Sequence, residues 1–224
     1  MSSRERAALV VGATGLVGAA TLNLLLDSPG SSSVIALVRR SSGRSHPKLV
    51  ERVTDFAALE TIETPPLGTV FCALGTTIKN AGSLDAFRRI DYELPLRIAR
   101  WALGRGAQHF ILVSSVGADP ASANGYLRVK GELERDLAAL GYSVVDIFQP
   151  SVLLGPRGEF RPAEWISKLA LQALPFLLLG PLRKYRAVRA GDVAAAMVAV
   201  ARQPVPGLHR HLYDSIINLG TPAK

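Results

Sequence analysis

The chain has 224 residues, of which 48% are hydrophobic and 20% charged, so it is long enough to bury a large core and is not a disordered chain. Cys72 is the only cysteine, which excludes an internal disulfide framework and a cysteine-rich zinc site and favours a reducing cytoplasm. The formal net charge is +8. Because the basic residues are spread along the chain rather than clustered, we expect a solvated arginine-rich surface and no nucleic-acid partner.

Two segments bear on targeting and membranes. Met1 to Arg6 is polar and runs straight into an apolar strand pattern, so we expect no signal peptide and a cytoplasmic protein. The apolar stretch Trp165–Leu182 is interrupted by Lys168 and Pro175 and is shorter than the roughly 20 apolar residues that span a bilayer. This stretch could line an apolar substrate pocket, pack against a second copy in a homodimer, or lie on a membrane surface. The first two interpretations are favoured.

Apolar runs of strand length alternate with segments of helical periodicity, which is typical of repeated strand-helix units. The predicted strands are Ala8–Val11, Val34–Val38, Leu49–Val53, Thr69–Leu74, Phe110–Ser114 and Ser143–Phe148. The predicted helices between them are Leu16–Leu26, Asp85–Leu103 and Tyr126–Leu140. This order predicts an α/β fold with a Rossmann-like, doubly wound parallel sheet.

A last unit follows Pro150 and extends to the C-terminus. We predict a loop rich in glycine, proline and arginine, a helix around Ala163–Leu174, a short strand near Tyr185–Val188 and a helix over Asp192–Arg202. The whole chain, 1–224, is therefore predicted to be one dinucleotide-binding domain, with a small substrate region or C-terminal extension at about 150–224.

Three glycines lie between the first predicted strand and the first predicted helix. Gly12 permits a sharp turn, Gly15 lets the backbone approach a pyrophosphate, and Gly18 lets the helix lie close to the strand. Backbone N–H groups and the helix dipole at this position favour phosphate. The strand before and the helix after this spacing predict a dinucleotide site rather than a structural turn.

The end of the second strand indicates which dinucleotide is bound. A sheet that binds NAD usually carries an acidic residue there for the ribose 2′-hydroxyl, whereas this chain has Arg39 and Arg40. Guanidinium groups suit a 2′-phosphate, so NADP(H) is favoured over NAD(H) and over a merely solvated pair.

Two further strand ends supply candidate cofactor contacts. Asp55 follows the third strand and is placed to accept a hydrogen bond from the adenine amino group. Leu74 and Gly75 lie at the end of the fourth strand and are placed to pass beneath the adenosine ribose. Ordinary loop chemistry explains these residues equally well.

The strongest catalytic signal is Tyr126 with Lys130, four residues later on one helix face, preceded by Ser114 and Ser115 at the end of the fifth strand. An adjacent ammonium favours the phenolate form of a tyrosine, and a lysine also holds a ribose hydroxyl. The phenol then exchanges a proton with a substrate oxygen while hydride moves at a nicotinamide, and a serine hydroxyl polarises the same oxygen. Ser115 is preferred over Ser114.

The chain resembles the short-chain dehydrogenase/reductase superfamily, in its atypical, extended-like branch, and most closely the bacterial relatives of the human Tat-interactive tumour-suppressor protein. The motifs that carry this resemblance, to about Arg202, are Gly12–Gly18, Leu37–Arg40, Cys72–Thr77, His109–Asp119, Tyr126–Glu132 and Arg161–Trp165. The chain departs from these relatives at Gln149, where they carry arginine, and at Val116, where extended members place the active-site hydroxyl.

The resemblance implies a Rossmann-like domain that binds NADP(H). The cofactor contacts that it implies are Thr14, Gly15, Leu16, Val17, Arg39, Arg40, Leu74, Gly75, Tyr126, Lys130, Leu153 and Arg161.

His209 and His211 are interpreted as an exposed pair rather than metal ligands, because no carboxylate or cysteine cluster accompanies them, and no metal is predicted. Cys72 lies in an apolar strand and is interpreted as a small buried hydrophobic residue. The sequence thus favours an NADP(H)-dependent oxidoreductase that acts on a small carbonyl or alcohol. The alternative is a binding module that senses NADPH without sustained turnover.

Overall fold

A computed structural model describes residues 6–29, 33–155 and 179–221. The strands are β1 (Ala7–Val11), β2 (Val34–Val38), β3 (Leu49–Val53), β4 (Leu67–Cys72), β5 (His109–Val113), β6 (Val144–Phe148), β7 (Leu153–Leu154), β8 (Val188–Arg189) and β9 (Gly207–His211). Seven of them form one parallel sheet in the order β3-β2-β1-β4-β5-β6-β9, and β7 pairs with β8 separately. The strand order reverses between β1 and β4, which is where sheets of this type bind ligands.

The helices are α1 (Leu16–Asp27), α2 (Ile78–Ala81), α3 (Leu84–Arg88), α4 (Leu94–Gly104), α5 (Gly125–Ala138), α6 (Ala190–Arg202) and α7 (Tyr213–Gly220). A π-helical turn, Arg89–Glu93, joins α3 to α4 without a break in the helical path. Short 3-10 turns cover Leu59–Thr61 and Gly180–Tyr185. Within the part of the chain that the structure describes, no helix is long and apolar enough to cross a membrane.

Helices cover both faces of the sheet. Helices α1, α6 and α7 contribute buried residues to the core on one face, and α4 and α5 contribute to the core on the other. All five residues of β2 are buried because their alternating side chains enter both cores. This arrangement confirms the predicted Rossmann-like parallel sheet.

The six predicted strands and three predicted helices are present with ends shifted by at most a few residues. The region after Pro150 differs more: the strand predicted at Tyr185–Val188 is instead a 3-10 turn followed by β8, and the helix predicted at 163–174 lies outside the described residues. Strand β9 and helix α7 were not predicted, because Gly207–His211 has no apolar run. Together with α6, both belong to the main sheet and its covering layer.

Candidate functional site

The glycine turn connects β1 to α1 at the switch point of the sheet. Gly12 has a φ of +84°, and a Cβ there would lie 2.5 Å from the carbonyl oxygen of Ala73. A Cβ on Gly18 would lie 2.1 Å from the carbonyl oxygen of Gly12. These two positions therefore require glycine, because the backbone directly after β4 and that of the turn itself fill the space of any side chain.

Gly15 differs from the other two glycines. The only atom that the structure places near a Cβ at Gly15 is the carbonyl oxygen of Gly12, at 3.4 Å. Gly15 is the N-cap of α1, where the first N–H groups of a helix lack partners within the helix. The turn thus fits a pyrophosphate, which needs open backbone and N–H donors at a helix N-terminus.

The remaining predicted residues of the turn surround this surface. Thr14 is exposed, Leu16 is half-buried and Val17 is buried. A Cβ on Gly155 would lie 2.7 Å from the Cδ2 of Leu16, so Gly155, which follows β7, packs against the turn. Leu153 therefore lies close to the turn, in the core that also contains Val17. Arg161 lies outside the described residues.

The predicted adenosine-binding residues lie at the same edge of the sheet. Arg39 and Arg40 follow β2 directly and are exposed. Asp55 follows β3, and its Oδ1 accepts a hydrogen bond of 2.8 Å from the N–H of Ala57. The carboxyl ends of parallel strands thus place these side chains around the glycine turn.

Lys130 is buried on α5 and forms an ion pair with Asp91, with 2.7 Å between Nζ and Oδ1. Asp91 is fully buried in the π-helical turn, and its Oδ2 accepts a 2.9 Å hydrogen bond from the N–H of Thr76. A Cβ on Gly75 would lie 3.7 Å from the Lys130 Nζ. The ammonium therefore lies directly beside Gly75, at the carboxyl end of β4.

Burial by itself lowers the pKa of Lys130, but the charges of Asp91 and Tyr126 and the hydrogen bond to Asp91 outweigh burial and raise it. The lysine is therefore an ammonium at neutral pH and supplies a fixed positive charge inside the site.

Tyr126 lies at the start of α5, where the Asn124 side chain accepts hydrogen bonds from the N–H groups of Tyr126, at 2.9 Å, and Leu127, at 3.4 Å. Its ring stacks on that of Phe87, with 5.1 Å between ring centroids. The cap and the stacked ring fix the phenol one helical turn before Lys130. The structure therefore brings the predicted pair together on one side of α5.

The two candidate serines have different surroundings. The hydroxyl of Ser114 is buried and donates a 2.6 Å hydrogen bond to Oε1 of Glu134. Glu134 also accepts hydrogen bonds from Gln149, at 2.8 and 3.0 Å, and from Arg210, at 3.2 Å. Ser115 is half-buried. Because the Ser114 hydroxyl is committed to this buried cluster, the geometry favours Ser115 for contact with a substrate.

Asp91 was missed by sequence reasoning. It lies inside the helix predicted over Asp85–Leu103, and an acidic residue in such an amphipathic pattern is normally interpreted as exposed to solvent. The π-helical turn shifts the helical register there and directs the carboxylate inward. A polar residue on the apolar face of the helix is the only signal that sequence reasoning had for it.

The interpretation of His209 and His211 as an exposed pair is wrong, because both side chains are half-buried and His211 contacts a carboxylate. Its Nε2 lies 2.6 Å from Asp146, whose other oxygen lies 2.7 Å from Nε2 of His109. The sequence separates these residues widely, and only the pairing of β5, β6 and β9 brings them together. Among the described residues, no group of three or more His, Cys, Asp or Glu side chains is arranged to hold a metal ion.

The prediction for Cys72 is confirmed. The side chain is fully buried, and burial raises the pKa of its thiol to about 11. A neutral thiol inside the core is a packing group rather than a nucleophile.

Comparisons with known proteins agree with the fold. The chain is 34% identical over 177 residues to Protein HTATIP2 of Rattus norvegicus, a match that covers 77% of this chain and 73% of the relative. It is 37% identical over 179 residues to Protein FMP52-1, mitochondrial, of Scheffersomyces stipitis, which covers 78% of both chains. These relatives support the predicted superfamily. Since they are eukaryotic, the placement among bacterial relatives stays a prediction.

Solved structures share the fold at low identity. MoeE5 in complex with UDP-glucose and NAD superposes with a TM-score of 0.66 at 15% identity, covering 96% of this chain and 80% of that protein. A short chain dehydrogenase family protein from Francisella tularensis gives a TM-score of 0.65 at 16% identity, covering 92% and 96%. Residues 8–220 match the model of the NAD dependent epimerase/dehydratase family. The chain belongs to this NAD dependent epimerase/dehydratase family, with an NAD(P)-binding Rossmann fold.

Proposed function

We propose that this protein is an NADP(H)-dependent oxidoreductase that transfers hydride between the nicotinamide and a small carbonyl or alcohol substrate. The observation that carries the proposal is the pairing of Tyr126 with Lys130, whose buried ammonium is held by Asp91 beside Gly75. A merely structural helix has no need of a buried lysine at the ligand-binding edge of a sheet.

The chain's own residues account for cofactor binding in this proposal. Gly12, Gly15 and Gly18 shape the pyrophosphate site with Thr14, Leu16 and Val17, and Arg39 and Arg40 hold the 2′-phosphate. Asp55, Leu74, Gly75 and Leu153 border the remaining surface. When bound, the cofactor supplies or accepts the hydride.

The protein's chemical contribution is proton transfer. Tyr126 exchanges a proton at its phenolic oxygen with the substrate oxygen, and the Lys130 ammonium, one helical turn away, supplies a fixed positive charge beside it. Ser115 donates a hydrogen bond that polarises the same substrate oxygen. Asp91 keeps Lys130 charged and in place.

The Tyr126→Phe variant tests this assignment. It keeps the ring that stacks on Phe87 and removes only the hydroxyl, so we expect turnover to fall by about 10²–10⁴-fold with NADPH binding unchanged. NADPH oxidation is screened with aldehydes, ketones and quinones, and exposed Tyr185→Phe is the matched control. Full turnover by Tyr126→Phe rejects the tyrosine as the acid. Tight NADPH binding without reduction of any substrate class favours the sensor alternative.

The cofactor preference has its own test. Replacing Arg39 and Arg40 with alanine removes two guanidinium groups, so we expect the advantage of NADPH over NADH to fall by about tenfold or more in a fluorescence titration. Replacing Arg97 and Arg100, which are exposed on α4, changes the net charge equally and leaves the preference unchanged. Equal affinities in the unmodified protein contradict the NADP(H) assignment.

A small molecule is the only partner that this function requires, and nucleic acid or membrane binding has no part in it. The homodimer stays a prediction. The cytoplasmic location also stays a prediction, because the fungal relatives carry the word mitochondrial in their names.

A further inference from the structure

The loop that follows Arg40 contains several hydrogen-bond donors that bind the side-chain carboxylate of Glu51. The hydroxyl of Ser41 donates to Oε2 of Glu51 at 2.7 Å, and the N–H of Ser42 donates to the same oxygen at 3.1 Å. The hydroxyl of Ser42 donates to Oε1. Three donors from two consecutive residues thus converge on one anion.

The loop backbone orients these donors. The N–H of Gly43 donates to the Ser41 hydroxyl oxygen at 3.2 Å, and the N–H of Arg44 donates to that of Ser42 at 3.3 Å. Each hydroxyl therefore receives a bond from the loop and directs its own proton to Glu51. The hydrogen bond from Ser42 lowers the pKa of Glu51 in spite of partial burial, so the carboxylate is ionised at neutral pH.

This site lies where the proposed function places the adenosine ribose. Glu51 is on β3 opposite Ala36 of β2, and Ser41 comes directly after Arg39 and Arg40. The donors are of the kind that a phosphate takes, namely hydroxyl and backbone N–H groups beside arginine.

We propose that Glu51 sets the choice between the two nicotinamide cofactors, by occupying the donors that a 2′-phosphate would use and by offering an acceptor to a 2′-hydroxyl. This inference rests on the proposed dinucleotide-binding function. It follows that the unmodified chain discriminates against NAD less strongly than Arg39 and Arg40 alone would.

The electrostatics give the direction of the effect. A 2′-phosphate either displaces Glu51 and breaks its three hydrogen bonds, or binds beside it and is repelled by its charge. Both outcomes weaken NADP binding and leave NAD unaffected or favoured. Glutamine at this position keeps the shape of the side chain and removes the charge.

The experiment measures the binding of NADP⁺ and NAD⁺ to the purified full chain by calorimetry, without any need for turnover. We expect Glu51→Gln to raise the affinity for NADP⁺ relative to NAD⁺ by about threefold to tenfold, as for one partly exposed charge. Glu63→Gln, an exposed carboxylate before β4, makes the same change in net charge and should leave the ratio unchanged. In the Glu51→Gln background, Ser41→Ala with Ser42→Ala should abolish the gain.

An unchanged or lowered ratio in Glu51→Gln overturns the inference, and so does an equal rise in Glu63→Gln. A rise in Glu51→Gln from an unmodified chain that binds both cofactors equally supports the role of Glu51 while contradicting the NADP(H) preference proposed above. If the unmodified chain binds neither cofactor, the proposed function fails and this inference fails with it.

Discussion

The two halves of the candidate site are built from different materials. At the glycine turn, backbone packs against backbone, since Cβ atoms on Gly12 and Gly18 would overlap with carbonyl oxygens. Around α5, by contrast, ionised side chains are buried in pairs, as with Lys130 and Asp91. The first half is specified by the absence of side chains, whereas the second depends on every charged group keeping its partner.

The largest effect that separates the two halves is expected from removing a partner. Asp91→Leu leaves the Lys130 ammonium buried without a counter-charge and the Thr76 N–H without its acceptor. Breaking a buried pair in this way costs about 3–5 kcal/mol. Urea denaturation measures the loss.

Glu93→Leu is the control for this prediction, since Glu93 is an exposed acidic residue in the same π-helical turn. The Glu93→Leu variant should lose less than about 0.5 kcal/mol of unfolding free energy, as is usual for surface substitutions. Similar losses in both variants would mean that the turn rather than the ion pair is the source of stability.

The same contrast explains what the sequence predicted. The glycine spacing and the pairing of Tyr126 with Lys130 are local, because one turn of chain or of helix brings the residues together. Asp91 and Glu134 were missed because their partners come from other elements, and no short pattern reports them. Strand β9 was missed because it has no apolar run, and its His211 meets Asp146 only across the sheet.

The second prediction tests the backbone half. Gly18→Ala places a Cβ 2.1 Å from the Gly12 carbonyl oxygen, so we expect a loss of about 3 kcal/mol as the turn shifts. Gly15→Ala has an open environment and should cost less than about 1 kcal/mol while weakening dinucleotide binding. Thermal unfolding and a cofactor titration of both variants measure these effects.

Gly104→Ala is the control, because a Cβ there meets no atom that the structure describes and the residue ends a helix. We expect it to be neutral or slightly stabilising. Should Gly15→Ala bind cofactor normally, the open surface at Gly15 is not the pyrophosphate site.

The third prediction uses pH to compare the glycine turn with a second buried ionised cluster, which lies on β5, β6 and β9. Burial alone would raise the pKa of Asp146, but hydrogen bonds from His109 and His211 lower it from 3.8 to about 2. A carboxyl whose pKa is depressed by folding stabilises the protein above its unfolded pKa, and this contribution is lost as the pH falls from about 4 towards 2. From that shift we expect Asp146 to contribute about 2 kcal/mol at neutral pH.

Asp146→Asn should therefore lower stability at pH 6 and flatten its decline between about pH 4 and pH 2. Asp214→Asn removes a carboxylate of an exposed ion pair with Arg183 and should leave the decline intact. Urea unfolding at stepped pH gives both curves. If the two variants show the same decline in stability, the acid sensitivity comes from elsewhere in the chain. If the decline flattens only in Asp146→Asn, the acid-labile element is the β5-β6-β9 part of the sheet. The glycine turn, whose close contacts involve no titratable group, then keeps its contribution at low pH.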